Sequence, residues 1–331
     1  MNAHLNCRHV QPPLVSVLMP CFNNAAFLAD AIDSILQQSM ADFELIVIDD
    51  GSQDASFTIA QRKAKQDARL VLVHQRNAGI SSALNLGLAM ARGQFIARMD
   101  ADDIAVAERF ALQLQYLQQH PDIDMVGSWI RLFGATNETW HYRAEDNFIK
   151  NMLFMRTNGF GHNTIMARRA MFSTLSYDSY FDNVEDTDLW CRLLVERPEL
   201  RFANMRQVLV YYRTHQAQGS QLFKQRQQQL YDEILTRLFT QFGCEVSVQD
   251  MHDHQLFCQS AAGLDMASMQ RLYHWVMRLQ EAKNPHLPDE FGVFPYFWHR
   301  LCLKNQHLEL PAYLQQLPWH RACSWLPVLN R

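Results

Sequence analysis

The sequence predicts an α/β fold: a Rossmann-like, mostly parallel central sheet flanked by helices, followed by a mainly helical C-terminal extension. Three observations carry that prediction. Compact apolar runs recur at residues 15–19, 43–48, 69–73 and 94–97, each short enough for a strand buried on both faces. Stretches with helical spacing lie between them, so strand and helix alternate in the manner of βαβ units. Beyond Ser220 the alternation stops and a Gln-rich helical periodicity takes over. The expected organisation is a tail over 1–13, an α/β domain over 14–220 and a helical domain over 221–331.

Each element has a local reason. Pro20 closes the first run, and Asn23 or Asn24 offers a side-chain cap to a helix whose apolar face is Phe27, Leu28, Ile32, Ile35 and Leu36. The second run ends in Asp49, Asp50, Gly51 and Ser52, before a helix over 55–65. After the third run, Asn77, Ala78 and Gly79 make a turn. Ser81 or Ser82 then caps a helix that Gly93 stops. The fourth run delivers Arg98, Asp100, Asp102 and Asp103, with a helix expected from Val106 to Gln119. Further strands are expected over 125–131 and 208–213, and helices over 144–155, from the stretch opening at Asn183 to about Val195, over 222–242 and over 265–281.

Composition narrows the function classes. Hydrophobic residues make up 48% of the chain, ample for a core, and a net charge of −4 leaves no electrostatic footprint for nucleic acid. The seven cysteines are scattered without a C-x-x-C pair, which argues for apolar filling and against a disulfide framework or zinc site. The N-terminal residues lack an apolar h-region, and no run approaches the roughly 18 apolar residues of a membrane span. A cytoplasmic protein is expected.

Right-handed crossovers place the strand C-termini on one edge, where ligands of such sheets bind. Residues 20–23, 49–52, 77–82 and 100–103 should therefore converge. No G-x-G-x-x-G or G-x-x-x-x-G-K-[ST] is present, so dinucleotide and P-loop readings lack their fingerprints. What converges instead is carboxylates, amides and hydroxyls. Three aspartates after a buried strand suit a hard divalent cation and the phosphates it holds; the alternative is an acidic turn in which one Asp caps the next helix.

Taken together, the opening strand through Asn23, the segment 47–52, Asn77 and Gly79 with Asn85, the aspartates of 98–103, Glu185 and Asp186 with Asp188, Leu189 and Trp190, and Tyr212 and Arg213 with His215 resemble the family 2 glycosyltransferases of the GT-A fold. The resemblance covers about residues 14–220. It implies an inverting transferase of the hexosyltransferase class, moving a sugar from a nucleoside-diphosphate sugar, UDP-sugar first, to a glycan or lipid-linked hydroxyl. The product would be a bacterial surface glycan such as lipopolysaccharide. It implies a Mg²⁺ or Mn²⁺ ion on Asp102, supported by Asp100 and completed by His215, with Asp103 as a helix cap. Asp50 would read the nucleobase, Pro20 and Phe22 would lie against it, and Asn23, Asn77, Gly79, Asn85 and Asp100 would line the donor. His162, beside Asn163 and Thr164, would face the acceptor. The resemblance makes Asp186 the general base and Glu185 its neighbour that orients the acceptor; the local alternative is helix capping with Asn183 as the cap. Two departures concern the subfamily: Ala105, Val106 and Ala107 stand where a proline is usual, and Cys21 where a small or hydroxyl residue is common.

Two classes compete with this reading, a nucleotidyltransferase and a non-catalytic nucleotide-sugar binder. The first lacks its glycine- and Lys/Arg-rich loop after the opening strand, and the second has no use for both Asp102 and Asp186. Residues 271–331 hold seven Lys or Arg, four Asp or Glu, and Trp275, Trp298, Trp319 and Trp325. They read as a small packed helical domain, or as a peripheral contact with the inner face of the cytoplasmic membrane. His252 and His254 read as surface residues.

Overall fold

The computed structural model describes residues 11–215, 224–283, 287–288 and 292–308. They form two compact units that interleave in sequence. The first comprises the chain up to 141 with 160–182 and 204–218; the second comprises 142–159, 183–203 and 219 onward.

The first unit is built on one sheet. Strands β1 (Val15–Cys21), β2 (Phe43–Asp50), β3 (Leu70–Gln75) and β4 (Phe95–Arg98) are parallel in the order β3-β2-β1-β4. Helices α1 (Leu28–Leu36), α2 (Ser56–Ala64) and α3 (Ile80–Met90) connect them. Every residue of β2 is buried, as a near-continuous apolar run requires when both faces are covered. Helix α3 packs on β1 and β2 through Gly87, where an added Cβ would lie 3.0 Å from Ile48 and 3.1 Å from Leu18.

Strand β1 continues one residue past Pro20, because the missing N–H falls where nothing needs it. The carbonyl of Leu18 accepts from Met99 on the β4 side, so Pro20 also faces that side, and β4 has ended at Arg98 opposite Leu18.

Beyond β4 the sheet continues through β8 (Met166–Arg168), β6 (Met125–Gly134), β9 (Phe202–Thr214) and β5 (Ile104–Ala105). The β4–β8, β6–β8 and β5–β9 pairs are antiparallel, and β7 (Thr139–Trp140) pairs with β6 as a hairpin. Helix α4 (Arg109–Gln119) packs on β6. It starts at Arg109 and not at Val106: residues 104–105 pair with β9, and the Val106 N–H donates to Leu209 O at 2.9 Å.

Four expected caps are absent. Asn24 receives the Phe27 and Leu28 N–H groups on its backbone carbonyl, and α1 has no side-chain cap. Neither Ser81 nor Ser82 caps α3, which follows Gly79 at φ +91°. Asp103 lies six residues before α4 and is fully buried. Asn183 (φ +74°) precedes Val184, the residue before the first turn of its helix. At α3 and α4 partners distant in sequence take over: Asp182 Oδ1 accepts the Ser81 N–H, and Gln38 Oε1 accepts the Phe110 N–H.

The second unit is helical: α5 (Asp146–Met152), α6 (Glu185–Glu196), α7 (Lys224–Gln241), α8 (Val248–Gln259), α9 (Met266–Lys283) and α10 (Val293–Lys304). Ser247 and Asp250 form a capping box at the start of α8. The core gathers Phe154, Phe239, Phe257, Trp275 and Phe294. His254 is not a surface residue; it is fully buried among them. Trp275 and Trp298 are likewise packed inside, so neither serves a membrane surface, and Trp319 and Trp325 lie outside the described residues. No helix among the described residues is long and apolar enough to cross a membrane.

Candidate active site

The parallel strands deliver their ends to one edge, as the crossovers require. Register places Cys21 beside Asp49, Asp49 beside His74 and Asp50 beside Gln75. Loops then lock onto one another. The Asn23 N–H donates to Ser52 Oγ at 3.0 Å, and Asn23 Oδ1 accepts from the Gln53 N–H at 2.8 Å. Asn23 adopts φ +52°, a conformation that Asn tolerates better than most residues. Phe22 next to it is 45% exposed, an aromatic face left to solvent at the mouth of the edge.

Asp50 is buried and grips the turn after β3. Its Oδ1 accepts from Gln75 Nε2 at 2.7 Å and the Ala78 N–H at 2.8 Å, while Oδ2 accepts from the Gly79 N–H at 2.9 Å. Gly51 (φ +71°) lets Asn77 approach, since a Cβ there would stand 2.6 Å from the Asn77 nitrogen. Asn77 itself is exposed. The N-terminus of α3 is closed from a hundred residues away: Asp182 Oδ1 accepts the Ser81 N–H at 3.1 Å. Asn85 spends its amide on Tyr177, donating to its carbonyl at 2.8 Å and accepting its N–H at 2.9 Å. Tyr177 in turn meets His162, with 2.9 Å between its hydroxyl and Nε2. Burial, reinforced by Arg98, holds the His162 imidazole well below its usual pKa, so it stays neutral.

The three aspartates after β4 offer oxygens that all lie within 4.8 Å of one another. Each has a different anchor. Asp100 pairs with Arg98. Asp102 Oδ2 lies 3.0 Å from His215 Nε2, and the His215 ring rests 4.8 Å from Phe27. Asp103 accepts from Asn163 Nδ2 and, at 2.8 Å, from the Arg213 N–H. Arg213 also donates to the Asp102 carbonyl at 2.9 Å. Burial, then the neighbouring carboxylate of Asp100, raises the Asp102 pKa against the opposing pull of His215; burial with Asp100 and Asp102 raises Asp103 well above the carboxylate range. Crowded, desolvated carboxylates of this kind are what a bound cation relieves. Asp102, with its imidazole neighbour, and the part-exposed Asp100 fit that use. Asp103 is enclosed by its partners and reads as a brace.

Beneath the loop sits a residue that the sequence reading passed over. Arg109 is fully buried. It donates to Arg98 O at 2.8 Å and Ile165 O at 3.2 Å, with Gln113 Oε1 at 3.1 Å from its Nε. Burial, then Arg98, lowers its pKa to about 9, and Asp103 and Asp100 oppose that shift, so it remains a cation at neutral pH. The signal was available: Arg109 and Gln113 share the face of α4 that holds Phe110, Leu114 and Leu117, where a lone apolar stripe would be expected. Asn163 and Asp182 carried no comparable signal, because their partners are set by loops.

Glu185 and Asp186 open α6 in the second unit. Asp186 Oδ2 accepts from Asn158 Nδ2 at 2.8 Å and Oδ1 from the Thr187 N–H at 2.7 Å. Thr187 Oγ1 lies 3.2 Å from Asn158 Oδ1 and 3.4 Å from the Tyr231 hydroxyl, tying the pair together. Burial, then Asp186, raises the Tyr231 phenol to about 12 and raises Tyr142 as well, so both stay protonated beside it. Glu185 is buried, and Asp188 is held by Arg192 at 2.7 Å and by Arg237.

The family model for glycosyl transferase family 2 matches residues 16–181. The chain belongs to that family. Among curated relatives, this family 2 glycosyltransferase is 34% identical over 207 residues to the O-antigen biosynthesis glycosyltransferase WbnJ of Escherichia coli, covering 61% of the chain and 80% of the relative. It is 41% identical over 115 residues to the uncharacterized glycosyltransferase EpsJ of Bacillus subtilis, spanning 35% of the chain and a third (33%) of that protein. Solved structures share the fold. S. aureus TarS 1–349 in complex with UDP-GlcNAc superposes with a TM-score of 0.59 at 13% identity, covering 88% of each chain. Glucosyl-3-phosphoglycerate synthase from Mycobacterium tuberculosis, in complex with Mn²⁺, UDP and glucosyl-3-phosphoglycerate, gives 0.51 at 16% identity, over 71% of this chain and 82% of that one. The fold is GT-A, with a helical C-terminal part, and the chain is a glycosyltransferase. The nucleotidyltransferase and non-catalytic alternatives are set aside.

Proposed function

We propose that this glycosyltransferase moves a sugar from a nucleoside-diphosphate sugar, a UDP-sugar first, to a hydroxyl of a glycan or lipid-linked acceptor with inversion at the anomeric carbon. Residues 14–220 would carry the reaction and 221–331 would form the helical extension. The observation that carries the reading is the aspartate cluster at the end of β4, braced by Arg213 and Asn163 and joined to His215. The donor set is hard oxygen with one imidazole, which fits Mg²⁺ or Mn²⁺. Asp102, Asp100 and His215 would hold the ion, which supplies Lewis-acid stabilisation of the departing diphosphate.

The chain's own groups do the rest. Asp50 fixes the 77–79 turn and so shapes the nucleotide pocket, with Pro20 and Phe22 beside the base and Asn23, Asn77 and Gly79 along the donor. Asn85 and His162 act through Tyr177 to set the loop that faces the sugar. Asp186 takes the acceptor proton: Asn158 and the Thr187 N–H orient its carboxylate, and the start of α6 favours its ionised form. Glu185 orients its surroundings. The O-antigen biosynthesis name of the Escherichia coli relative supports a surface-glycan product such as lipopolysaccharide.

The test is a titration of UDP-sugars in the presence and absence of Mn²⁺, coupled to slow donor hydrolysis. Asp102→Ala is expected to abolish the Mn²⁺ dependence, and Asp186→Asn to keep donor binding while losing turnover. Failure of every nucleotide sugar to bind with Mn²⁺ present would overturn the proposal.

A further inference from the structure

Among the exposed large hydrophobic side chains of the first unit, Trp140 has surroundings that suit a ligand. It occupies β7, the short strand paired with β6, and is 44% exposed. Its ring lies 5.9 Å from that of Tyr212 on β9 at an interplanar angle of 31°, so the two rings make a nearly continuous tilted strip. A tryptophan left this open gains little from folding. The position it occupies is informative.

Trp140 stands directly opposite Ile130 in the hairpin, and residues directly opposite in an antiparallel pair share a face. Ile130 reaches Gly161 on that face: a Cβ on Gly161 would stand 2.4 Å from Ile130 Cδ1. Gly161 leads into the turn His162–Thr164, in which Asn163 holds Asp103. Core packing through the buried Ile130 and Gly161 therefore ties the strand pair that carries Trp140 to the turn that braces the aspartate loop. Tyr212 is also the residue before Arg213, whose backbone N–H holds Asp103.

The surroundings of the strip discriminate between occupants. Asn137, Glu138 and His141 are exposed beside Trp140, and Arg131 donates to Thr139 Oγ1 at 2.8 Å next to it. A pyranose ring fits: its C–H face carries slight positive charge and meets the negative face of an aromatic ring, while its hydroxyls find the polar rim.

We propose that Trp140 and Tyr212 form a subsite for the sugar chain of the acceptor, so that the acceptor is recognised as a glycan and not by a lipid portion alone. The inference rests on the transferase reading above. The test uses the full chain with UDP and Mn²⁺ on an array of bacterial surface oligosaccharides, compared with Trp140→Ala and Trp140→Phe, alongside a separate UDP titration. Wild-type protein is expected to retain a subset of glycans. Trp140→Ala should bind each about tenfold more weakly, Trp140→Phe should stay within about threefold, and UDP binding should not change. Equal retention by Trp140→Ala, or no glycan retained by the wild type, would overturn the subsite. So would a Trp140 dependence seen instead in self-association by sedimentation or in pelleting with anionic vesicles. Loss of UDP binding in the wild type would strike the donor reading alone, because the glycan comparison is read separately.

Discussion

Acid should destabilise the helical unit through one residue, His254. Trp275 Nε1 is a donor only and lies 3.1 Å from His254 Nδ1, so that nitrogen must present its lone pair. The proton therefore sits on Nε2, which donates to the Phe154 carbonyl at 2.8 Å. Both ring nitrogens are satisfied in the neutral form. Protonation would turn Nδ1–H toward the indole N–H and place a cation in a closed aromatic core. Burial first, and Arg156 second, hold the His254 pKa down at about 3. An unfolded histidine titrates near 6.5. Between those values the unfolded chain binds more protons, so the contribution is complete above about pH 6.5 and is lost as the pH falls toward 3. The full loss is roughly 5 kcal/mol, and the part lost between about pH 7 and pH 5 is ~2 kcal/mol. Urea denaturation followed by tryptophan fluorescence at those two pH values measures it. The control is His254→Gln, whose amide can accept from Trp275 and donate to Phe154 without titrating. Subtracting the two proteins removes the carboxylates they share. A difference below about 0.5 kcal/mol between their pH dependences would refute the reasoning.

The other predictions concern the first unit. Arg109→Met removes a donor from the buried Arg98 carbonyl and leaves the Ile165 carbonyl with the Arg98 N–H, costing ~1–3 kcal/mol in all; thermal unfolding should show the drop, and an unchanged Tm would contradict the buried-cation role. Asp50→Ala strips acceptors from the Ala78 and Gly79 N–H groups, which are only part-buried, so a loss of ~2 kcal/mol is expected together with faster amide exchange at residues 77–79. Gly79→Ala forces a side chain into φ +91° with its Cβ 1.8 Å from Asp182 Oδ2. The displaced carboxylate should release the Ser81 N–H, costing ~2 kcal/mol by chemical denaturation and weakening UDP binding.

The order of the elements was legible because it follows from short-range chemistry. Apolar runs 15–19, 43–48 and 94–97 satisfy their burial as interior parallel strands, with 69–73 beside them at the sheet edge, and crossover handedness then sends Pro20–Asn23, Asp49–Ser52 and Asp100–Asp103 to one side. Residue type alone left the aspartates between a cation site and a capped acidic turn. The caps were illegible for the opposite reason. Asn23, Ser81, Asp103 and Asn183 each look like local caps, yet Asn23 bonds to the chain thirty residues on, Ser81 is met by Asp182, and Asp103 is taken by Asn163 and Arg213. A hydrogen-bonding side chain goes to whichever partner tertiary packing brings within reach, and sequence spacing cannot rank partners a hundred residues apart. The same limit hid the burial of His254. The sequence by itself determined the four parallel strands, where their ends meet and which residue types stand there. Tertiary structure decided which of three neighbouring carboxylates is open to solvent, which is a brace, and which has an imidazole beside it, because those differences arise from burial and contact.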